Sequence, residues 1–403
     1  MPIPSAGAGA GGAQPNPPAV IGGLFGTDAG AGPDAGAGAG GSAGAGDAGA
    51  GDADSGAGGE SGSSTGANPG AVIPCTATGA QWCSGLSGHS LSEHASAIAR
   101  DAQGNLVILG RTGGSISGAG HASFDVFVAK YAPDGTLLWV TQHGRERREV
   151  PGTLAIDAMG NIVFGYNADL NLLGTVNAGF AAKLSGSGGL IWTRELGTFL
   201  DGNVAADAAG NVFFAGRDRA GLILGKLTPD NELIWSKPQL GGVLTVDADG
   251  SVIASRITDS NVSLAKISAA GELLWNDATY GASAFAVDPD RNVYGLGKSI
   301  RRYSSEGTLA WDVPKDAHLY LGNDIAADAN GNAYVVGIAN DFTGTGYDAY
   351  VSKYSSSGEL IGGRALGVSA AAEGFQLVAA DNGELYVAGA LLTGGVFVAR
   401  LSL

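Results

Sequence analysis

The sequence predicts an all-β fold made of seven repeated units, and two recurring patterns support that prediction. The turn pattern Asp-x-x-Gly-Asn is followed in each copy by a run rich in β-branched and aromatic residues. Between these turns a basic residue recurs, with Gly five positions later and Trp nine positions later. Successive turns lie between 40 residues apart (Gly210 to Gly250) and 56 residues apart (Gly104 to Gly160).

Each turn copy contains residues that favour a tight β-hairpin. Gly adopts a positive φ without steric cost, and Asp accepts hydrogen bonds from its own backbone. Arg291 replaces the Gly of the fifth copy, and a degenerate seventh copy has Ala380 in the Asp position and Gly383 in the Gly position. The copies that begin with aspartate start at Asp101, Asp157, Asp207, Asp247, Asp288 and Asp328.

The second pattern predicts that the basic residue and the tryptophan are cross-strand partners. A hairpin that turns at Asp134–Gly135 pairs Lys130 with Trp139 on one face, where a cation–π contact contributes about 0.5–1 kcal/mol. This is a structural role, and the alternative is a row of ligand-binding lysines. The basic positions are Lys130, Lys183, Lys226, Lys266, Arg302, Lys353 and Arg400. The tryptophan positions are Trp139, Trp192, Trp235, Trp275 and Trp311, with Gly362 in the sixth unit.

Four strand-like runs in each unit of this length are typical of a β-propeller blade. Seven units predict a seven-bladed β-propeller of four-stranded antiparallel blades, with strands A to D running outward from the axis. The last unit has only three strands before Leu403, and the stretch around Trp82 resembles the missing fourth strand. We therefore predict that an N-terminal strand at about residues 76–83 pairs with the C-terminal strand, closing the ring without an open edge.

Composition divides the chain into a disordered Gly/Ala-rich tether, residues 1–74, and a propeller, residues 75–403. The tether has six acidic residues and no Lys or Arg. It offers too little apolar surface to offset the entropy of ordering. Its one apolar run, Val20–Phe25, is too short for a membrane span or a signal core, so no transmembrane segment is predicted.

The charge of the chain argues against a general nucleic-acid-binding role. The formal net charge is −16, and the predicted propeller has 32 acidic against 22 basic residues. Nucleic-acid binding requires a basic surface. The sequence lacks a P-loop, a Gly-x-Ser-x-Gly elbow and a His-Glu-x-x-His motif. We predict no cofactor, no catalytic residue and no metal site, with a calcium site at Asp247–Ser251 as the weaker alternative.

The repeat resembles the bacterial SBBP-type β-propeller repeat, which is related to NHL-like propellers. The residues that carry the resemblance are Asp328–Gly337, Asp348–Tyr354 and the Gly-x-Leu-x-Trp pattern, and the resemblance covers nearly all of residues 76–403. It implies an extracellular or cell-surface bacterial protein with a lipoprotein-like tether and without a transferable catalytic signature. Met1-Pro-Ile-Pro has no signal-peptide features, so this location implies either that the true start lies upstream or that the sequence is a processed form.

The two cysteines, Cys75 and Cys83, flank the predicted closing strand. A disulfide between them would pin the tether to the ring and would fit an oxidising compartment. Two free thiols are an equal alternative.

Strand order sorts the links between strands into two faces. The A–B and C–D links are short and lie on one face, here called the short-turn face. The B–C and D–A links lie on the opposite, loop-bearing face, where long links in blades six, seven, one and two predict a raised wall. Loops on a rigid scaffold commonly carry binding residues.

The candidate binding residues lie on this predicted wall. Three Arg and two Glu occur in residues 143–150, a pattern that favours a solvated, self-paired loop, with an anion- or carboxylate-binding patch as the alternative. His residues in these loops could bind metal or transfer protons, although scattered surface His are commoner. The candidates are His94, His121, His143, Arg145, Arg147, Arg148 and Glu149.

We therefore predict a monomeric, surface-displayed or secreted binding or scaffold module. Its ligand would be a glycan, a peptide or a protein held at the loop-bearing face. The alternative is a propeller hydrolase or lyase that acts on a polysaccharide or a lactone over the central channel, a hypothesis that rests on the fold alone.

Overall fold

The described residues of the computed structural model form seven antiparallel β-sheets, six with four strands and one with five. They comprise residues 71–73, 75–77, 80–87, 93–117, 124–144, 148–169, 177–198, 202–218, 221–238, 240–258, 261–339, 347–370, 376–379, 383–391 and 394–402. The predicted seven-bladed propeller is confirmed. The predicted disorder of the tether concerns residues that lie outside this description, apart from residues 71–73.

The first three blades follow the chain in order. Blade 1 contains β3 (His94–Arg100), β4 (Leu106–Thr112), β5 (Asp125–Tyr131) and β6 (Leu137–His143). Blade 2 contains β7 (Glu149–Ile156), β8 (Ile162–Asp169), β9 (Asn177–Leu184) and β10 (Leu190–Thr198). Blade 3 contains β11 (Asn203–Ala206), β12 (Val212–Asp218), β13 (Gly221–Leu227) and β14 (Leu233–Pro238).

The next three blades have the same antiparallel order. Blade 4 contains β15 (Leu240–Val246), β16 (Val252–Thr258), β17 (Asn261–Ile267) and β18 (Leu273–Asp277). Blade 5 contains β19 (Ala282–Val287), β20 (Val293–Gly297), β21 (Ile300–Tyr303) and β22 (Leu309–Val313). Blade 6 contains β23 (Leu319–Ala327), β24 (Ala333–Ala339), β25 (Tyr347–Tyr354) and β26 (Leu360–Ala370).

Blade 7 joins the two ends of the described chain. It contains β27 (Gln376–Ala379), β28 (Glu384–Ala390) and β29 (Val396–Ser402), followed outward by β2 (Ala80–Ser87) and β1 (Ala71–Ile73). The predicted ring closure is therefore confirmed, and Trp82 lies opposite Arg400. The closing strand begins at residue 80 rather than 76 and continues to residue 87. β1 extends the sheet into residues that sequence analysis placed in the tether.

Apolar side chains between neighbouring blades hold the ring together. The first strands contact one another in a closed circle: β3, β7, β11, β15, β19, β23, β27 and back to β3. A buried apolar cluster fills the contact between each pair of adjacent blades. A blade buries both faces only between two neighbours, which explains why the units require a complete ring.

The turn aspartates perform the local role that the sequence predicts. In the first copy, Asp101 Oδ1 accepts the backbone N–H groups of Gln103 at 3.0 Å and Asn105 at 2.8 Å. Arg291 occupies the Gly position of the fifth copy at φ 65°, and Asn231 occupies the Gly position of a C–D turn at φ 73°. Both residues therefore adopt the left-handed conformation that glycine adopts elsewhere.

The basic residues of the third strands pair with these turn carboxylates. The registers between basic residue and tryptophan are as predicted, for example Lys130 opposite Trp139. The cation–π contacts found for Lys226, Arg302 and Lys353, however, are with Phe213, Tyr294 and Tyr334 of the second strands. The ion pairs are Lys130–Asp101 (2.9 Å), Lys183–Asp157 (3.1 Å), Lys226–Asp207 (3.2 Å), Lys266–Asp247 (2.7 Å), Arg302–Asp288 (3.8 Å) and Arg400–Glu384.

Each tryptophan of the fourth strands contacts the C–D turn of the next blade. The Trp275 indole donates to Ser305 O at 3.0 Å and lies so close to Gly307 that an added Cβ would stand 2.6 Å from Cγ. A glycine is therefore required here for space as well as for its φ of 86°. The corresponding indole donors and acceptors are Trp82–Pro133, Trp192–Pro229, Trp235–Ala269 and Trp311–Ser356, and Trp139 packs over Gly188.

This contact explains why Gly362 replaces tryptophan in blade 6. The blade that follows is blade 7, whose third and fourth strands come from opposite ends of the described chain. Blade 7 therefore has no C–D turn for an indole to contact. A Cβ added to Gly362 would meet no atom within 4 Å.

The structure pairs Cys75 with Cys83 in a disulfide, with a Cα–Cα distance of 5.4 Å. The bridge continues the β1–β2 register, in which Ile73 lies opposite Gly85. It joins the fifth strand of blade 7 to the fourth. Both cysteines pack against the apolar cluster between blades 6 and 7.

Candidate functional site

Polar side chains of blades 1 and 2 face one another at the loop-bearing face, in an arrangement here called the cleft. His94, Arg111, Val126 and His143 are direct cross-strand partners in blade 1, so they share one face of its sheet. Val126 packs in the apolar cluster between blades 1 and 2. The two histidines and Arg111 therefore face blade 2.

Blade 2 presents a complementary row across the cleft. Glu149 is the direct partner of Ala168, which packs in the same apolar cluster and is followed across the sheet by Ala178. Tyr166 and Phe180 lie on this face too and stack at a centroid distance of 5.2 Å. The cleft thus places basic and imidazole groups of one blade opposite a carboxylate and an aromatic pair of the next.

Two guanidinium groups share one phenyl ring at the cleft mouth. The Cζ atom of Arg111 lies 5.2 Å from the Phe124 ring centroid, and that of Arg148 lies 5.7 Å away. Arg148 is exposed, whereas Arg111 and Phe124 are half-buried. Cation–π contacts restrain the positions of both guanidinium groups. The planar guanidinium group fixes the directions of its N–H donors.

Backbone hydrogen bonds hold this mouth in place. Glu149 N donates to Phe124 O at 2.8 Å, and Asp169 N donates to Arg148 O at 3.1 Å. Residues 148–149 are thereby connected to the B–C links of both blades. Gln142 holds the start of the blade 1 link, since its Oε1 accepts Ile116 N at 2.9 Å and its Nε2 donates to Gly114 O at 3.1 Å.

His143 lies inside the cleft rather than on its surface. Its ring contacts Phe164 at 5.4 Å, and Nε2 has no hydrogen-bond partner among the described residues. Burial lowers the pKa of His143 to about 4. The imidazole is therefore neutral at neutral pH, where it can accept or donate one hydrogen bond but contributes no positive charge.

Glu149 is the most deeply placed of the predicted site residues, with a side chain that is 0% exposed. A buried carboxylate is stabilised only when polar or basic groups surround it. The cleft supplies such an environment through the facing row of blade 1. The cleft thus combines the guanidinium groups of Arg111 and Arg148 with the carboxyl group of Glu149.

The structure therefore brings together four of the residues that the sequence indicated: His94, His143, Arg148 and Glu149. Arg145, Arg147 and His121 lie outside the described residues, as do most of the long links, so the raised wall stays a prediction. Sequence reasoning missed Arg111 and Phe124. Arg111 is the cross-strand partner of His94, one residue before the end of β4, and the sequence alone gave no signal for this pairing.

A second acid of interest, Asp324, lies on β23, the first strand of blade 6. Asp324 Oδ2 accepts Leu377 N of blade 7 at 2.9 Å, and Oδ1 accepts Ile325 N at 2.9 Å. Burial raises the pKa of Asp324 to about 7. Thr153 has the corresponding role between blades 2 and 3, where its Oγ1 lies 2.7 Å from Val204 N. This position therefore joins neighbouring first strands.

The described residues show no membrane-spanning helix and no group of three metal-ligating side chains. No helix among them is long and apolar enough to cross a membrane. The same residues contain no cluster of three His, Cys, Asp or Glu side chains that could hold a metal ion. In the Asp247–Ser251 turn, the alternative calcium site, Asp247 Oδ1 accepts a hydrogen bond from Ser251 N at 3.0 Å and Oδ2 forms an ion pair with Lys266.

Comparison with known proteins identifies the fold. No protein-family model matches the sequence, and no curated protein matches it either. A solved structure of virginiamycin B lyase from Staphylococcus aureus, a catalytically inactive variant with quinupristin, is similar with a TM-score of 0.52 and 12% identity. The match covers 79% of this chain and 99% of that one. At this identity the likeness shows the fold alone.

Proposed function

We propose that this chain is a binding module whose loop-bearing face takes a carboxylate-bearing ligand at the cleft between blades 1 and 2. The observation that carries the proposal is the pair of guanidinium groups, Arg111 and Arg148, on the Phe124 ring at the cleft mouth. Guanidinium forks bind carboxylates through two parallel hydrogen bonds. Arg145 and Arg147, between the same two blades in sequence, add further positive charge.

The buried part of the cleft supports recognition of a polar group. The neutral His143 imidazole has an unpartnered Nε2, and Glu149 lies on the facing blade. A ligand hydroxyl or amide that reached this depth would supply the partner that His143 Nε2 lacks among the described residues. Specific sites commonly combine a charged anchor at the rim with a few placed polar groups inside.

A lyase or hydrolase activity is the second candidate, because one similar solved structure is that of a lyase. In this reading Glu149 and His143 would move a proton and the guanidinium groups would stabilise developing negative charge. The substrate would be a polysaccharide or a lactone. Fold likeness is an associational argument, so the binding role remains the main proposal.

Affinity measurements with two acidic polymers test the proposal. Polygalacturonate presents carboxylates on a glycan, poly-glutamate presents them on a peptide, and dextran is the neutral control. We expect binding to one acidic polymer and none to dextran. Arg148→Ala should weaken that binding about tenfold, since a charge-assisted hydrogen bond contributes about 1.5–3 kcal/mol.

The control variant is Lys298→Ala. Lys298 is an exposed cation on the loop-bearing face of blade 5, away from the cleft. Its loss should leave the affinity unchanged if the cleft is the site. Equal weakening by both variants would show that only the general charge of the face matters. Shortened polymer chains after incubation would favour the enzyme alternative.

A further inference from the structure

A histidine outside the cleft has a fixed orientation although its side chain is exposed. His318 lies in the link between β22 and β23, on the loop-bearing face. Its Nδ1 lies 2.9 Å from Oδ1 of the buried Asp316, whereas the His318 side chain is 76% exposed. The imidazole ring also stacks on Tyr350, with a centroid distance of 5.7 Å and an interplanar angle of 24°. Two contacts therefore restrain a ring that is open to solvent.

The Asp316 carboxylate is itself held from several sides. Its Oδ2 accepts a hydrogen bond from the Tyr350 hydroxyl at 2.9 Å, and Oδ1 also accepts His318 N at 3.0 Å. Gly363 leaves space for this pair, since an added Cβ would stand 2.4 Å from the Tyr350 hydroxyl and 2.8 Å from Asp316 Oδ2. Asp316 N donates to the Tyr354 hydroxyl at 2.6 Å, which connects the backbone of the link to β25.

The carboxylate determines which imidazole nitrogen carries the proton. Burial opposes ionisation of Asp316, but hydrogen bonds from His318 and Tyr350 hold its pKa below the ordinary value. An ionised carboxylate only accepts hydrogen bonds, so Nδ1 of His318 is the donor. The neutral ring then has its lone pair on Nε2, where water or a ligand can reach it because the side chain is exposed.

The preceding link between blades shows that this arrangement does not require a histidine. Between blades 4 and 5, Asp277 Oδ1 accepts Thr279 N at 2.8 Å and Thr279 Oγ1 at 2.6 Å, and Oδ2 accepts the Tyr303 hydroxyl at 2.7 Å. Tyr303 belongs to the third strand of blade 5, as Tyr350 belongs to the third strand of blade 6. A threonine hydroxyl is therefore sufficient to hold such a link, and the accessible Nε2 of His318 is additional to that structural role.

A buried carboxylate that fixes the tautomer of an imidazole prepares the imidazole to act as a general base. Tyr320 is 60% exposed and follows two residues later, so its Cα lies within about 7 Å of the His318 Cα. An aromatic surface thus accompanies the imidazole. We propose that His318 is the general base of a site, separate from the cleft, that hydrolyses aryl esters, with Asp316 as its positioning residue.

The proposed reaction consumes one water molecule. His318 Nε2 takes a proton from water while the water oxygen adds to the carbonyl carbon of the ester. The bond between that carbon and the aryl oxygen then breaks, and the imidazolium gives its proton to the departing oxygen or to solvent. A carboxylic acid and a phenol are the products, and the imidazole is neutral again.

Hydrolysis of p-nitrophenyl acetate by the full chain tests the proposal. The assay needs no acidic polymer, so its outcome is independent of the ligand-binding role. We expect His318→Thr to lower the rate constant at least tenfold, because a positioned general base contributes roughly 10²- to 10⁴-fold. This variant reproduces the threonine of the link between blades 4 and 5, so the thermal unfolding temperature should be unchanged.

The matched control is His89→Thr, which removes an imidazole from elsewhere in the chain and should leave the rate constant unchanged. Rate constants within twofold of one another in the wild type and both variants would overturn the proposal. Equal losses in the two variants would do so too, because they would show that any imidazole of the chain hydrolyses the ester.

The pH dependence of the rate tests the positioning role of Asp316. The rate should rise with pH as the imidazole loses its proton. Asp316→Asn should lower the pH of half-maximal rate, because a neutral amide does not stabilise the imidazolium. Tyr350→Phe should raise that pH, because the carboxylate loses a hydrogen-bond donor and attracts the imidazolium more strongly. Each shift is measured separately, so one folded variant is sufficient, and the absence of a shift would overturn the proposed pair.

Discussion

At the scale of single residues, two buried titratable groups oppose each other in their effect on stability. Burial lowers the pKa of His143 to about 4 and raises the pKa of Asp324 to about 7. The contribution of neutral His143 to the free energy of unfolding is present above pH 6.5 and is lost as the pH falls through 4. The contribution of protonated Asp324 to the free energy of unfolding is present below pH 3.8 and is lost as the pH rises through 7. Between pH 4.5 and 6 the two effects offset each other.

Single variants should separate the two dependences of the unfolding free energy on pH. We expect the unfolding free energy of Asp324→Asn to rise with pH between 4.5 and 6, by up to about 1.4 kcal/mol per pH unit. His143→Gln should show the opposite slope, because it retains the titration of Asp324 and removes that of His143. Denaturant titrations at several pH values measure both slopes. Parallel curves for the two variants would contradict the assigned burial of these groups.

The ion pairs of the repeat also act at this scale. Lys183 and Asp157 are almost wholly buried at a separation of 3.1 Å. Burial opposes ionisation of Asp157, but hydrogen bonds from Asn161 and Lys183 hold its pKa below the ordinary value. The structural role predicted for the basic residues thus depends on a turn carboxylate of the same blade more than on an indole.

We expect Lys183→Met to destabilise the protein by about 3–5 kcal/mol, because it leaves a buried carboxylate without its partner. The double variant Lys183→Met/Asp157→Asn should recover part of the loss. Equilibrium denaturation measures both values. A double variant that is less stable than Lys183→Met would show that the carboxylate is satisfied without the lysine.

At the scale of structural elements, the short-turn face is a chain of contacts between consecutive blades. The indole of each fourth strand holds the C–D turn of the next blade, as Trp275 holds Ser304–Gly307. A turn glycine therefore has two separate reasons to be glycine. One is its positive φ and the other is the indole beneath it.

A pair of Gly→Ala variants separates these reasons. Gly307 has φ 86° and an added Cβ would lie 2.6 Å from the Trp275 ring. Gly160 has φ 80° and an added Cβ would meet nothing within 4 Å. We expect Gly307→Ala to cost about 1–3 kcal/mol more than Gly160→Ala in thermal or chemical unfolding, as overpacking typically does. Equal losses would show that the indole does not constrain the turn.

The repeat spacing predicted the cross-strand pairs of the blades, such as Lys130 with Trp139, because local hairpin geometry determines them. It did not show that each indole serves the following blade, since that contact joins residues about 30 to 50 positions apart. The absence of a tryptophan at Gly362 was visible in the sequence. Its reason, a missing C–D turn at the seam, required the closed ring.

At the scale of the whole molecule, the site arises from ring geometry. Glu149 and Arg148 could be selected from an unusual charge pattern, whereas Arg111 and Phe124 occur in ordinary surroundings in the sequence. They join the site because blades 1 and 2 place their facing strands together. The closing strand was predicted four residues too early, because the repeat identifies Trp82 but does not determine the ends of the strand, which runs from Ala80 to Ser87.

The seam makes overall stability depend on the N-terminal strand. Removal of residues 1–88 deletes β1 and β2 and exposes the edge of β29, so we expect loss of cooperative unfolding. Removal of residues 1–70 should change the unfolding free energy by no more than about 1–2 kcal/mol. Thermal unfolding of the two truncated chains provides the comparison. Similar curves would contradict the closing role of β2.

The most direct test of the proposed function is hydrogen exchange of the full chain with and without saturating acidic polymer, polygalacturonate or poly-glutamate, whichever binds. The account predicts slower exchange in peptides that cover residues 94, 111, 124 and 143–149, with no change at the short turns on the opposite face. Slower exchange confined to the short-turn face, or equal on all blades, would contradict a site between blades 1 and 2.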